Sequence, residues 1–296
     1  MNNQPMEPVT EAAAPAAENP PAAKRRRYLP RKACLAIIVV AVPLLLWLEL
    51  GKPTLTSDPV LAPLMSMTLT RLIGAAVFLS LLLYEGYHVL HPFQKPFWKG
   101  LLFTLPPFLV VVNNMPILSM IWGDAYLVHK APVYLIWFAA ECLAIGLFEE
   151  FAFRGVIFLM LAEKRHTTRK GLFWSLILTS AIFGGVHLLN VLMGAGIGPV
   201  ILQIGYSFLI GAMCSVVLLK TRNIWICVAL HAIYDFCGTL MPTLGAGTWW
   251  DTPTVVFTAV LAVVTAAYLV WQFFRLDLDR VGEIYEDGHE KRRMIP

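Results

Sequence analysis

Charge is what this chain has little of: only 14% of its 296 residues are Asp, Glu, Lys or Arg, against 58% hydrophobic residues. An ordinary soluble domain is excluded by that balance. Nucleic acid is not expected as a partner either, because the basic run 24–27 with Arg31 and Lys32 stands directly before an apolar stretch. In that place a basic run sets membrane orientation. Cysteine is scarce, five in number and without a C-x-x-C, so neither a disulfide framework nor a cysteine-built metal site is expected. Several protease signatures are missing too. There is no H-E-x-x-H, Gly205-Tyr206-Ser207 lacks the glycine that would follow a rhomboid-type serine, and no G-x-G-D occurs.

What is present is a succession of apolar stretches, each long enough to cross a bilayer of about 30 Å. They predict an all-α, polytopic membrane protein with about eight spans bundled around an intramembrane cavity: 33–50, 60–84, 98–112, 132–161, 172–189, 197–219, 223–242 and 254–274. The Ala- and Pro-rich stretch 1–32 reads as a disordered tail and 275–296 as a second tail. The first apolar stretch is too long for a cleaved signal and is expected to stay as an anchor. Basic residues concentrate in the loops 85–97, 162–171 and 220–222 and after 274. Only Lys52 and Lys130 stand out in the remaining loops. The positive-inside rule therefore puts both termini in the cytoplasm. Three places resist a simple reading: Arg71 inside the second span, residues 113–130 with Pro116 and Gly123, and the glycine-rich connection 190–200.

Charge inside the apolar stretches is the functional signal, since each ionisable group costs about 2.5–3.5 kcal/mol at a bilayer centre on insertion scales. Glu150 and Arg154 stand at i,i+4 in the orientation that favours an ion pair. Glu149 points about 100° away from Glu150 on a helix and needs a partner from elsewhere. Two later spans carry candidates: His187, four residues after Phe183, and His231, one turn before Asp235. Counting at about 1.5 Å per residue puts Glu149, His187 and His231 at intramembrane depth, where they could meet. A carboxylate beside a histidine in a dehydrated pocket can hold and deprotonate a water. A second histidine with its own carboxylate can stabilise the oxyanion formed when that water attacks a carbonyl. Two histidines and a glutamate (Glu149, His187 and His231) are equally a ligand set for one zinc ion with an open water position. Both chemistries stay open at this point.

The three motifs, Glu149-Glu150-Phe151-Ala152-Phe153-Arg154, Phe183-x-x-x-His187 and His231-x-x-x-Asp235, resemble those of the CPBP group, the CAAX proteases and bacteriocin-processing enzymes also called the Abi family. The resemblance covers 132–242. It implies an eight-helix endopeptidase that cleaves a membrane-associated protein or peptide. Glu149 would be the general base and His187 would help activate the water. His231 and Asp235 would take the oxyanion side or a ligand-orienting role, while Glu150 and Arg154 support them. Phe183 is expected to pack and Asn190 to support His187. The family is usually named a metalloprotease, and a metal-free glutamate mechanism has also been argued for it. Nothing in the chain points to a prenyl group, and the absence of organelle targeting suggests a bacterial inner membrane. The rival expectation is a non-catalytic immunity or partner-binding protein on the same scaffold.

Overall fold

The computed structural model describes residues 31–51, 54–93 and 97–286. The expected tail through residue 30, the loop lysines Lys52 and Lys95, and residues 287–296 with Lys291, Arg292 and Arg293 lie outside the described residues. The chain is helical nearly throughout. In order come α1 (Arg31–Gly51), α2 (Leu61–Glu85), α3 (Phe97–Phe103), α4 (Leu105–Asn113), α5 (Ile117–Trp122), β1 (Ala125–Leu127) and α6 (Pro132–Glu149). A π-helical segment, Glu150–Phe158, continues α6 without a break into α7 (Leu159–Ala162). Then follow α8 (Arg169–Val186), α9 (Leu189–Leu192), α10 (Ile197–Thr221), α11 (Ile224–Leu244), β2 (Gly245–Gly247), α12 (Thr252–Phe274) and α13 (Leu278–Gly282).

Among the described residues, five helical stretches are long and apolar enough to cross a membrane: α2, Arg169–Leu192, α10, α11 and α12. This is a multi-pass membrane protein. The other three expected spans take different forms. In α1 the apolar run is shorter, Lys32–Leu45. The span expected over 98–112 breaks into α3 and α4, because Pro106 and Pro107 cannot donate to the preceding turn. The span expected over 132–161 changes helical register at Glu150. Residues 113–130 resolve into α5, started at Pro116 and stopped by the left-handed Gly123, and into β1. β1 pairs antiparallel with β2, Tyr126 opposite Ala246.

The loops sort by contact into two groups. At one end Ile224 N–H donates to the Val89 carbonyl (3.0 Å), His88 N–H to that of Ile284 (2.9 Å) and Arg169 Nε to that of Phe274 (3.0 Å). These are the loops that basic charge had grouped together. At the opposite end Tyr134 donates to Asp58 (2.9 Å), Ser119 to Asp251, and Thr248 N–H to the Asp124 carbonyl (2.8 Å). Asp251 caps α12 by accepting from Thr254 N–H at 2.7 Å, which supplies an acceptor for an otherwise orphaned amide. The Ser119 hydroxyl and that amide hold its carboxyl below the usual carboxylate range.

Helices that surround the charged residues pack closely. α6 lies against α11 where Gly146 faces the Val228 carbonyl; a β-carbon there would stand 3.0 Å from that oxygen. Lipid tails are as apolar as the helices, so association depends on such small-residue contacts and on polar pairs rather than on hydrophobic exclusion. All five cysteines are free and buried, as small core residues.

Candidate active site

Glu149 is the last residue of α6 and Glu150 opens the π-helical segment. In a π turn each amide bonds five residues back rather than four, a widening found mostly at functional sites. Within it Glu150 and Arg154 form the expected ion pair, Nη1 to Oε1 at 3.0 Å, with both side chains all but sealed from solvent. The Arg154 guanidinium also lies over the Phe183 ring, 4.2 Å from its centroid, which adds a cation–π contact to the pair.

His231 is the centre of the cluster. Its Nδ1 lies 2.7 Å from Glu150 Oε1. A carboxylate accepts, so Nδ1 carries the proton and the ring is held by the charge-assisted bond. The opposite nitrogen, Nε2, faces Glu149 Oε2 at 3.5 Å and Asp235 Oδ2 at 3.6 Å. These separations are too long for good direct hydrogen bonds and are of the size that a water bridges. Adjacent glutamates therefore serve opposite edges of one imidazole. The approximately 100° between them, expected to give them separate jobs, is what lets both reach the same ring.

Exposure divides these groups. His231 and Glu150 side chains are 5% and 0% exposed, whereas those of Glu149 and Asp235 are 14% and 22% exposed. The Glu150 side of the imidazole is sealed, and the Nε2 side is only partly so, with Asp235 Oδ2 itself buried. His187, half-buried, stands where α8 ends; its Nδ1 is engaged by the Phe183 carbonyl at 2.9 Å. The Phe183 ring is edge-on to both histidines, 5.4 Å from His187 and 5.9 Å from His231. Phe183 is thus more than filler: it is the wall shared by two histidines and an arginine.

One expectation needs correction. Asn190 meets His187 only through the backbone, its N–H donating to the His187 carbonyl at 3.0 Å, while its side chain turns elsewhere. The helix has ended by then, Asn190 lies on α9, and its amide donates to Gln203 Oε1 at 2.8 Å. Glu149, His187 and His231 do not form a group with ligand atoms within 4.8 Å of one another. Among the described residues the three-ligand group with atoms within 4.8 Å of one another is Glu150, Cys214 and Cys227. There the Arg154 guanidinium, on the same carboxylate, opposes a cation.

Sequence reasoning missed the π register, for which the residue pattern carries no signal, and the two thiols beside Glu150. It also passed over Glu141, which Arg71 and Asp235 both reach electrostatically. That residue was findable as a further carboxylate inside the same apolar stretch, eight residues before Glu149. Arg71, the uncertain residue of the second span, lays its guanidinium over the Phe148 ring at 5.1 Å.

Residues 131–237 match the family model of the type II CAAX prenyl endopeptidase Rce1-like proteins. The stretch that carries all three motifs is thus similar to a type II CAAX prenyl endopeptidase domain, consistent with the CAAX-protease, or CPBP, family. No curated protein and no solved structure matches the chain.

Proposed function

We propose that this protein is an intramembrane endopeptidase in which Glu149 is the general base. The observation that carries the reading is the asymmetry around His231: Nδ1 locked by buried Glu150 at 2.7 Å, Nε2 turned to the more open Glu149 and Asp235 across 3.5 and 3.6 Å. A water in that gap touches a carboxylate able to take its proton. The Phe183 carbonyl occupies His187 Nδ1, which leaves Nε2 as the nitrogen with which His187 would assist the water or the substrate.

The reaction then runs in two steps. The water oxygen bonds to the substrate carbonyl carbon as Glu149 takes the proton, and the carbonyl oxygen becomes an oxyanion. His231, protonated on both nitrogens and balanced by Glu150 and Asp235, donates to that oxyanion through Nε2. The carbon–nitrogen bond breaks as the proton on Glu149 passes to the leaving amine. Arg154 keeps the Glu150 carboxylate in place and takes no part in bond making.

The substrate class is a membrane-associated protein or peptide, since the glutamates and histidines lie on apolar helices. The site's loops at the basic end would face the cytoplasm, with both termini on that side. The matching family is named for prenylated CAAX proteins, so a farnesylated CAAX peptide is a direct first substrate. The general test compares peptide termini, by mass spectrometry of membranes and medium, between cells making wild-type or Glu149→Ala protein at equal abundance. Termini present only with wild type support proteolysis and identify the substrate. Identical termini, with the farnesylated peptide also uncut in vitro, would turn the reading to a non-catalytic immunity or partner-binding protein.

A further inference from the structure

We propose that the groove beside the loop between α7 and α8 binds the headgroup of an anionic phospholipid. The groove encloses about 410 Å³ and is lined by Arg165, Thr168, Lys170, Gly171 and Trp174. It opens at the start of an apolar helix long enough to span the bilayer, at the end of the bundle where the basic loops gather. None of its residues belongs to the cluster around His231.

Its charge is uncommitted. Arg165 and Lys170 are exposed, and among the described residues neither makes an ion pair. Their neighbour Arg169 differs: its guanidinium donates to the Phe274 and Leu276 carbonyls, each at 3.0 Å. Two cations thus remain for a phosphate while the third ties the loop to α12. The loop itself is held in a defined shape. Thr168 Oγ1 accepts from Gly171 N–H at 3.1 Å, and a β-carbon at Gly171 would run into the Arg165 carbonyl. Glycine is what lets the Arg165 turn close down on the first turn of α8.

An apolar track selects a lipid over a free phosphate. Trp174 lines the groove and is 54% exposed; Leu178, Ile182 and Val186 follow it along α8 at four-residue intervals, 44%, 39% and 38% exposed. Residues at i+4 make a ridge along a helix, so a lipid whose phosphate sits between Arg165 and Lys170 has apolar surface beneath it down the length of α8. Tryptophan at the headgroup level with lysine and arginine beside it is the arrangement that anionic membrane surfaces attract. A soluble phosphate would use the cations and leave the ridge unused.

The test uses the full-length protein in mild detergent and reads bound lipid by native mass spectrometry after titration with phosphatidylglycerol or phosphatidylcholine. Wild type should retain one phosphatidylglycerol in preference to phosphatidylcholine. Arg165→Gln with Lys170→Gln should weaken that retention by about 30-fold, from roughly tenfold per 1.4 kcal/mol and about 1 kcal/mol per cation. Lys99→Gln with Lys130→Gln, which removes the same charge elsewhere, should leave it unchanged. Trp174→Ala keeps both cations and should still lower retention, with thermal melting in detergent used to verify folding of every variant. Equal loss in the two double variants would overturn the proposal, as would equal retention of the two lipids. Displacement of the lipid by an equal concentration of inorganic phosphate would overturn it too, leaving an ion site. The readout needs no protease activity, so it stands or falls apart from the function proposed above.

Discussion

α11 and α12 are consecutive apolar helices of 21 and 23 residues, yet 44% of the apolar window of the first is buried in the bundle and only 17% of the second. Hydrophobicity does not sort them, because lipid and protein interior are equally apolar. Two features do. α11 carries His231 and Asp235, whose partners lie on the α6–π segment, and it meets Gly146 of α6 with its own backbone. α12 has no titratable side chain other than Tyr268 and turns Val256, Phe257 and Val263 outward at 53%, 57% and 70% exposure. In this protein polar pairs and close backbone contacts decide which face of a helix looks inward.

That contrast can be broken at its strongest point first. Glu149→Gln should lower the cleavage rate by about 10²–10⁴-fold, the span for loss of a general base, with the melting temperature retained. Single-turnover cleavage beside thermal unfolding measures both, and a variant that cuts at the wild-type rate removes Glu149 from the chemistry. Arg154→Ala should destabilise by about 1–3 kcal/mol, because it takes one of the two bonded partners, Arg154 and His231, from the sealed Glu150 carboxylate. Denaturant titration in detergent reads that loss, and a change below 1 kcal/mol would mean that the ion pair does not hold the π segment.

Packing comes next. Gly146→Leu should cost about 1–3 kcal/mol by overpacking against Val228 and Ala232. Val263→Ala on the outward face of α12 should stay within about 0.5 kcal/mol. Matched melting curves compare the two, and equal effects would erase the distinction between the helices. The smallest effect concerns pH at the start of α12. Asp251 has a folded value below the ordinary 3.8, so its contribution is complete above 3.8 and is lost as pH falls through the folded value. Amide exchange at Thr254, corrected for intrinsic rate, should therefore quicken at low pH in wild type. Asp251→Asn keeps a capping oxygen and should flatten that dependence.

Most of the scaffold was legible. The α2, α10, α11 and α12 boundaries fall within a few residues of the apolar runs, because a bilayer demands long unbroken apolar helices and leaves few alternatives. The break between α3 and α4 was signalled by Pro106 and Pro107, yet a run of apolar residues masked it. The pairing of β1 with β2 was not legible: three residues carry no period, and their partners lie far apart in the chain. At the site, the ion pair of Glu150 with Arg154 follows from spacing alone. The reach of Glu150 to His231 does not, since it joins helices whose relative rotation no local pattern encodes.

By itself the sequence determined that the chain is an all-α membrane protein, which spans carry charge, and that those charges must find partners, because hydrocarbon penalises an unpaired ion. Only the tertiary structure decided who the partners are. The π turn and the close contact at Gly146 bring α6 against α11 so that two neighbouring carboxylates face one imidazole from opposite edges, the sealed Glu150 bonded to it and the less buried Glu149 standing off at 3.5 Å. Such a division depends on distances between helices, and those are set by packing rather than by any residue's own preference.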